Sequence, residues 1–189
     1  MLRRIVPGAV LLLALVLPCA ARSLVIQRFD VTVVVDRDGS IVVTETIQPR
    51  CTGHWNGIYR TIPVEYRTPQ AFNKTLFLEL DSVTDENGNR LKVESSRERH
   101  YRKFKIWVPG AEDTVRTVIL RYRVPNALLF FEDHDELYWN ITGDEWEISI
   151  EAASAEIHLP TGVTGVRTLA FTGAYGSTTH DADVLVQDN

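Results

Sequence analysis

From Val25 onward the apolar positions fall largely on alternate residues. Val25, Phe29, Val31, Val33 and Val35 are followed by a break at Asp36-Arg37-Asp38-Gly39, and Ile41, Val43 and Ile47 resume the pattern up to Pro49. Alternation of this kind lines one face of a strand, and an Asp-Gly pair between two such runs signals a hairpin. The grammar repeats. Leu76, Leu78 and Leu80 run into Asp85-Glu86-Asn87-Gly88 and resume at Leu91 and Val93. Phe104, Ile106 and Val108 run into Pro109-Gly110 and resume at Val118, Leu120, Tyr122 and Val124. Trp146, Ile148 and Ile150, then Ala155, Ile157 and Leu159, read as one more pair, closed by Pro160-Thr161-Gly162. No stretch of residues 22–189 carries an apolar stripe with helical period; the nearest, Ala127 to Phe131, is a few residues long. Eight or more short strands at this turn spacing predict an all-β domain: an antiparallel β-sandwich, with a partly closed β-barrel as the alternative.

One position breaks the alternation in kind. Glu45 is in phase with Ile41, Val43 and Ile47, so its carboxylate points to the apolar face of its strand. A charge there needs a partner, and the candidate is Arg60, whose planar fork can hold a carboxylate through two hydrogen bonds. The competing expectation is a twist or bulge that puts Glu45 in water.

Residues 1–21 stand outside the strand grammar. Arg3 and Arg4 precede nine apolar residues, Ala9 to Leu17, and Cys19-Ala20-Ala21 supplies small residues for cleavage. These predict a secretory signal peptide over residues 1–21 and an extracytoplasmic domain over residues 22–189. The competing readings are a lipidated Cys19 and a membrane anchor, although the apolar run, bracketed by Pro7 and Pro18, is shorter than the about 20 residues a span requires. Removing Arg3 and Arg4 with the leader takes the formal charge from −5 to −7. That balance argues against a nucleic-acid partner. Cys51 alone remains of two cysteines, so the mature chain holds no internal disulfide, and Cys51 reads as a small buried residue. At its other end Val184-Leu185-Val186 opens a further strand that Gln187-Asp188-Asn189 ends without a stop device, so the domain is expected to continue beyond residue 189.

Three blocks, Asp36-Arg37-Asp38-Gly39-Ser40-Ile41-Val42-Val43-Thr44-Glu45-Thr46-Ile47, Asn56-Gly57-Ile58-Tyr59-Arg60-Thr61-Ile62-Pro63, and Asp135-Glu136-Leu137-Tyr138-Trp139-Asn140-Ile141-Thr142-Gly143 with Trp146, occur in that order. On these residues the chain resembles the predicted membrane proteins of domain of unknown function 2207. The resemblance implies an extracytoplasmic β domain that follows a signal peptide and precedes transmembrane helices, attached to the membrane through a downstream segment. It implies no chemistry.

The residues themselves hold no strong enzyme signature. There is no His-Glu-x-x-His, no Gly-x-Ser-x-Gly, no phosphate-cradling glycine loop and no paired cysteine, and the five histidines show no ligand spacing. No cofactor and no catalytic residue is expected. The acidic stretch Glu132-Asp133-His134-Asp135-Glu136 reads as a solvated loop; Asp133, Asp135 and Glu136 are weak candidates for a metal, because the spaced ligands of a dedicated calcium loop are missing. Trp55, Tyr138, Trp139 and Trp146 read as aromatic anchors at strand ends. Arg97, Arg99, Arg102, Lys103 and Lys105 form a basic segment, read either as a solvated strand face or as a contact for anionic headgroups or an anionic wall polymer. The expected function is therefore non-catalytic: interaction, sensing or scaffolding by the β domain of a membrane-anchored envelope protein, with an unknown envelope partner. The alternative is a glycan-directed binding module or hydrolase that uses Trp55, Trp107, Trp139 and the acidic loop. Exposed rings beside carboxylates would favour the alternative, and rings packed into the core the first.

Overall fold

A computed structural model describes residues 21–67, 73–173, 179 and 181–187. The leader expected over residues 1–21 therefore lies, except for its last residue, outside the described residues. The described residues form strands and no helix. The strands are β1 (Ser23–Val35), β2 (Ile41–His54), β3 (Gly57–Pro63), β4 (Glu65–Arg67), β5 (Asn73–Thr75), β6 (Glu79–Thr84), β7 (Val93–Glu98), β8 (Tyr101–Trp107), β9 (Glu112–Val115), β10 (Val118–Val124), β11 (Leu129–Phe130), β12 (Asp135–Glu136) and β13 (Ala153–His158).

Six of them make the main sheet, in the order β13-β1-β2-β10-β6, with β9 paired to the far end of β2. Three more, β3-β8-β7, make a smaller sheet, and β4-β5 and β11-β12 are short two-stranded ribbons. None of these sheets closes on itself, so the barrel alternative is set aside. Alternation explains the core directly. Phe29, Val31, Val33, Ile41, Val43, Ile47, Val118, Leu120 and Tyr122 from the main sheet share one buried cluster with Ile58, Ile62, Phe104 and Ile106 from the smaller one. The inner faces of the two sheets thus meet.

The hairpin around Asp38-Gly39 forms, pairing Val35 with Ile41. Three expectations need correction. Between Ile26 and Arg28 the β1–β2 register shifts, a bulge that turns Ile26 rather than Val25 into the core. An extra residue on one strand inverts the phase of everything before it. Next, Pro109-Gly110 does not close a hairpin: β8 belongs to the smaller sheet and β10 to the main one, so the chain changes sheets there. The turn at Asp85–Gly88 does form, with Thr84 bridging Arg90 antiparallel and the Leu91 N–H donating to the Val83 carbonyl, before the chain passes from β6 in the main sheet to β7 in the smaller one. Finally, the sheet is not wholly antiparallel. Trp146 to Ile150 forms no strand and pairs its backbone with β1 only through a parallel Ile26–Ile150 bridge, and β13 then runs parallel to β1 from Phe29–Ala153 to Val34–His158. Period two reports a pleated strand but not its neighbour or direction.

Candidate functional site

The most concentrated chemistry in the fold lies between the two sheets. Glu45 sits mid-strand on the inner face of β2, flanked by Val31 on β1 and Leu120 on β10, and it is fully buried. Arg60 sits on the inner face of β3 between Ile58 and Ile62 and is also fully buried. The Arg60 Nε donates to Glu45 Oε2 at 2.7 Å, and Nη2 donates to Oε1 at 2.7 Å, a bidentate charge-assisted pair. Tyr122, beside Val43 on β10, donates its hydroxyl to Glu45 Oε1 at 2.8 Å.

The rest of the guanidinium is bound by backbone. Nη1 donates to the Thr61 carbonyl at 2.8 Å and the Thr142 carbonyl at 2.7 Å, and Nη2 donates to the Ile141 carbonyl at 3.2 Å. An arginine has five N–H donors, and these five bonds take all of them. Aromatic rings close the sides: the guanidinium carbon lies 5.2 Å from the Phe29 ring centre and 5.9 Å from that of Trp146, and these two rings meet edge to face. Burial alone would lower the Arg60 pKa, but the adjacent Glu45 carboxylate outweighs it and holds the group above its ordinary value. Burial, then the Glu45 charge, push the Tyr122 hydroxyl well above its usual range. The phenol keeps its proton and serves as a donor.

The Ile141-Thr142-Gly143 segment is not a regular strand, yet it is pinned from several sides. Trp146 Nε1 donates to the Thr142 carbonyl at 2.6 Å, and the Gly143 N–H donates to Asn140 Oδ1 at 2.9 Å. Tyr101 on β8 donates to Asp144 at 3.3 Å; burial, with Asp144 and Glu145 nearby, pushes its hydroxyl up to about 12. Gly143 has φ +84, and a Cβ there would lie 2.5 Å from Arg60 Nη1. The geometry makes Arg60 and Glu45 a clasp: Arg60 ties β2, β3 and the 140–146 strap together, and Glu45 adds β10 through Tyr122.

The other singled-out residues are scattered. Trp55, Trp139 and Trp146 are half-buried against the core, with Trp55 Nε1 donating to the Thr52 carbonyl at 3.0 Å, whereas Tyr138 is exposed beside Tyr66. The acidic stretch lies across the tip of β11 and β12. Asp133 accepts from His134 at 2.8 Å, His134 stacks on Phe131, and Glu136 lies 4.0 Å from the other ring nitrogen of His134, while Asp135 stands opposite Phe130 in the ribbon. Among the described residues no three His, Cys, Asp or Glu side chains are grouped to hold a metal ion. Cys51 is buried, which pushes its thiol pKa up and makes it a weak nucleophile.

The basic segment divides between two sides of the smaller sheet. Arg102 shares the phase of Phe104 and Ile106 and lies opposite Arg97, which pairs with Glu65. Arg99 is in the β7–β8 turn, at φ 55. Lys103 and Lys105 lie on the outer face with Tyr59 and Trp107. There the Lys103 Nζ sits 5.2 Å from the Tyr59 ring, and Lys105 and Lys92 sit 4.6 and 4.2 Å from the Trp107 ring. Glu94 and Glu98 border the same shallow groove, Glu98 accepting from Lys103 at 3.1 Å.

Sequence reasoning misses Tyr122 and the two strap carbonyls. Tyr122 reads there as one more core residue of an alternating run, and a carbonyl leaves no residue-level signal; the polar tip of a tyrosine at a core position is the available hint.

Among solved structures, the native leukotriene A4 hydrolase from Saccharomyces cerevisiae is similar over 53% of this chain and 15% of its own, at 14% identity and a TM-score of 0.38. The M1 zinc metallopeptidase from Deinococcus radiodurans is similar over 56% of this chain and 21% of its own, at 15% identity and a TM-score of 0.36. The chain thus spans about a fifth or less of these proteins, and likenesses so partial pass no activity to it. No curated protein matches the chain. The family model described as "Predicted membrane protein (DUF2207) N-terminal domain" matches residues 25–187, spanning all three blocks from which the clasp is built, and the chain belongs to that family.

Proposed function

We propose that the chain is the extracytoplasmic β-sandwich domain of a membrane-anchored envelope protein, exported by residues 1–21, and that it acts by contact and not by catalysis. The observation that carries this reading is the saturation of Arg60. A catalytic or binding arginine keeps donors for its ligand, whereas here all five are bound within the fold. The most polar interior cluster therefore holds the sheets and the strap together. Membrane anchoring is read from the family, whose description is that of a predicted membrane protein. The outer face of the β3-β8-β7 sheet is the surface offered to an anionic envelope partner, with Lys103 and Lys105 poised on Tyr59 and Trp107. The glycan-directed alternative loses support because Trp55 and Trp139 pack against the core, which leaves Trp107 as the one ring of its three on the outer face and no exposed row.

A reporter enzyme that matures only outside the cytoplasm, fused after residue 189, tests the export claim in a bacterial host. The whole-chain fusion is expected to be active and the fusion lacking residues 1–21 inactive. An inactive whole-chain fusion, or equal activity of both, contradicts the reading.

A further inference from the structure

β13 ends the main sheet, and its exposure does not match its position. In the parallel register Ala153, Ala155 and Ile157 stand beside Phe29, Val31 and Val33, so all three lie on the core side of the sheet. Their β1 neighbours are almost wholly buried, yet every residue of β13 is exposed, Ile157 by 47%. The inner apolar stripe thus runs out into solvent at β13.

The backbone of the same residues is open too. Phe29 N–H donates to the Ala152 carbonyl at 3.0 Å, so in a parallel ladder the even-numbered residues bond β1. The N–H and C=O groups of Ala153, Ala155 and Ile157 then point to the free edge. Edges are ordinarily blunted by charge or proline. The β6 edge carries Glu79 and Asp81, and the β7 edge Glu94, Arg97 and Glu98. β13 carries Glu156 and His158, both on the outer side.

We infer that β13 is a homodimer seam: two copies pair antiparallel, edge to edge, about a two-fold axis at Ile157. The pattern is self-complementary in that register over Glu156, Ile157 and His158, and Ala155 stands opposite the partner's Leu159, just past the end of the strand. Ile157 meets the partner's Ile157 on the inner side, extending the apolar stripe of one main sheet into the other. On the outer side Glu156 faces the partner's His158 and His158 the partner's Glu156, which joins the two Glu156–His158 contacts already made at 3.3 Å within each chain. A Glu156–His158 contact across the ladder favours this register over its neighbours, and a one-residue slip would set the edge N–H and C=O of Ile157 against a residue whose own groups point to β1.

Sedimentation analysis of the exported chain reads the outcome. The natural chain is expected to be a concentration-dependent dimer. Ala155→Pro removes an edge N–H without touching the bonds to β1, and Ile157→Lys places a charge on the seam; each is expected to give a monomer with an unchanged circular dichroism spectrum. Ile157→Cys, which leaves the edge intact, is expected to form a disulfide-linked dimer on mild oxidation. A natural chain that stays monomeric up to its solubility limit overturns the inference, as does a dimer that survives both of the first two substitutions or an Ile157→Cys variant that fails to cross-link.

Discussion

Replacing Glu45 by leucine is expected to cost about 3–5 kcal/mol, because it leaves the Arg60 guanidinium buried without its counter-charge. An arginine cannot escape by losing its proton, and no water reaches it: its side chain is fully buried, as is that of Glu45. Arg60→Met is expected to cost about as much for a different reason. It strands the carboxylate with only the Tyr122 hydroxyl and releases the carbonyls of Thr61, Ile141 and Thr142. The double variant is the informative one. With both charges gone the apolar replacements can pack together, so its cost should fall short of the sum of the single costs by about 2–3 kcal/mol. Urea melts of the four proteins give the cycle, and additivity would show that the two residues do not act as a pair.

The second large effect is expected at a residue with no side chain. Gly143→Ala should destabilise by about 2–4 kcal/mol, from about 1–2 for forcing an alanine into the left-handed region and the rest for a lost guanidinium hydrogen bond. The clash is specific: the new methyl would press on Arg60 Nη1 at 2.5 Å and on the Thr61 carbonyl at 3.0 Å. Gly162 supplies the control, since it has a similar φ of +89 but open space around it. Gly162→Ala should show the backbone cost alone, about 1–2 kcal/mol. Equal losses at the two positions, read by thermal or urea unfolding, would mean that the strap does not press on Arg60.

These residues show where sequence reasoning reaches and where it stops. The inward phase of Glu45 is legible because Ile41, Val43 and Ile47 fix the buried side of β2, and all three are buried. Arg60 is a reasonable partner because no other side chain satisfies a buried carboxylate so completely. Tyr122 is not legible as a third member, since its place beside Val43 depends on the β2–β10 register, and that register is set by pairing between segments nearly 80 residues apart. The strap is legible only as a block of residues: what it offers Arg60 is backbone oxygen, which any sequence possesses. The basic segment reads as one patch, although it is divided, because the phase of β7 cannot be read from Val93-Glu94-Ser95-Ser96-Arg97-Glu98, where one apolar residue stands alone. The course of β13 beside β1 is hidden for a similar reason. Its alternation is that of any edge strand, and the parallel direction follows from how the strap delivers the chain to the sheet.

The clasp can be observed directly through the side-chain Nε–H of Arg60 in protein carrying 15N-labelled arginine. A donor held by a buried carboxylate and shielded by Phe29 and Trp146 exchanges with solvent only when the structure opens. One arginine Nε–H, absent from Arg60→Met, is therefore predicted to persist in slow exchange, and in Glu45→Leu to exchange quickly or vanish. An Arg60 Nε–H that exchanges as fast as those of the exposed arginines would contradict the sealed clasp and the reading of this interior as structural.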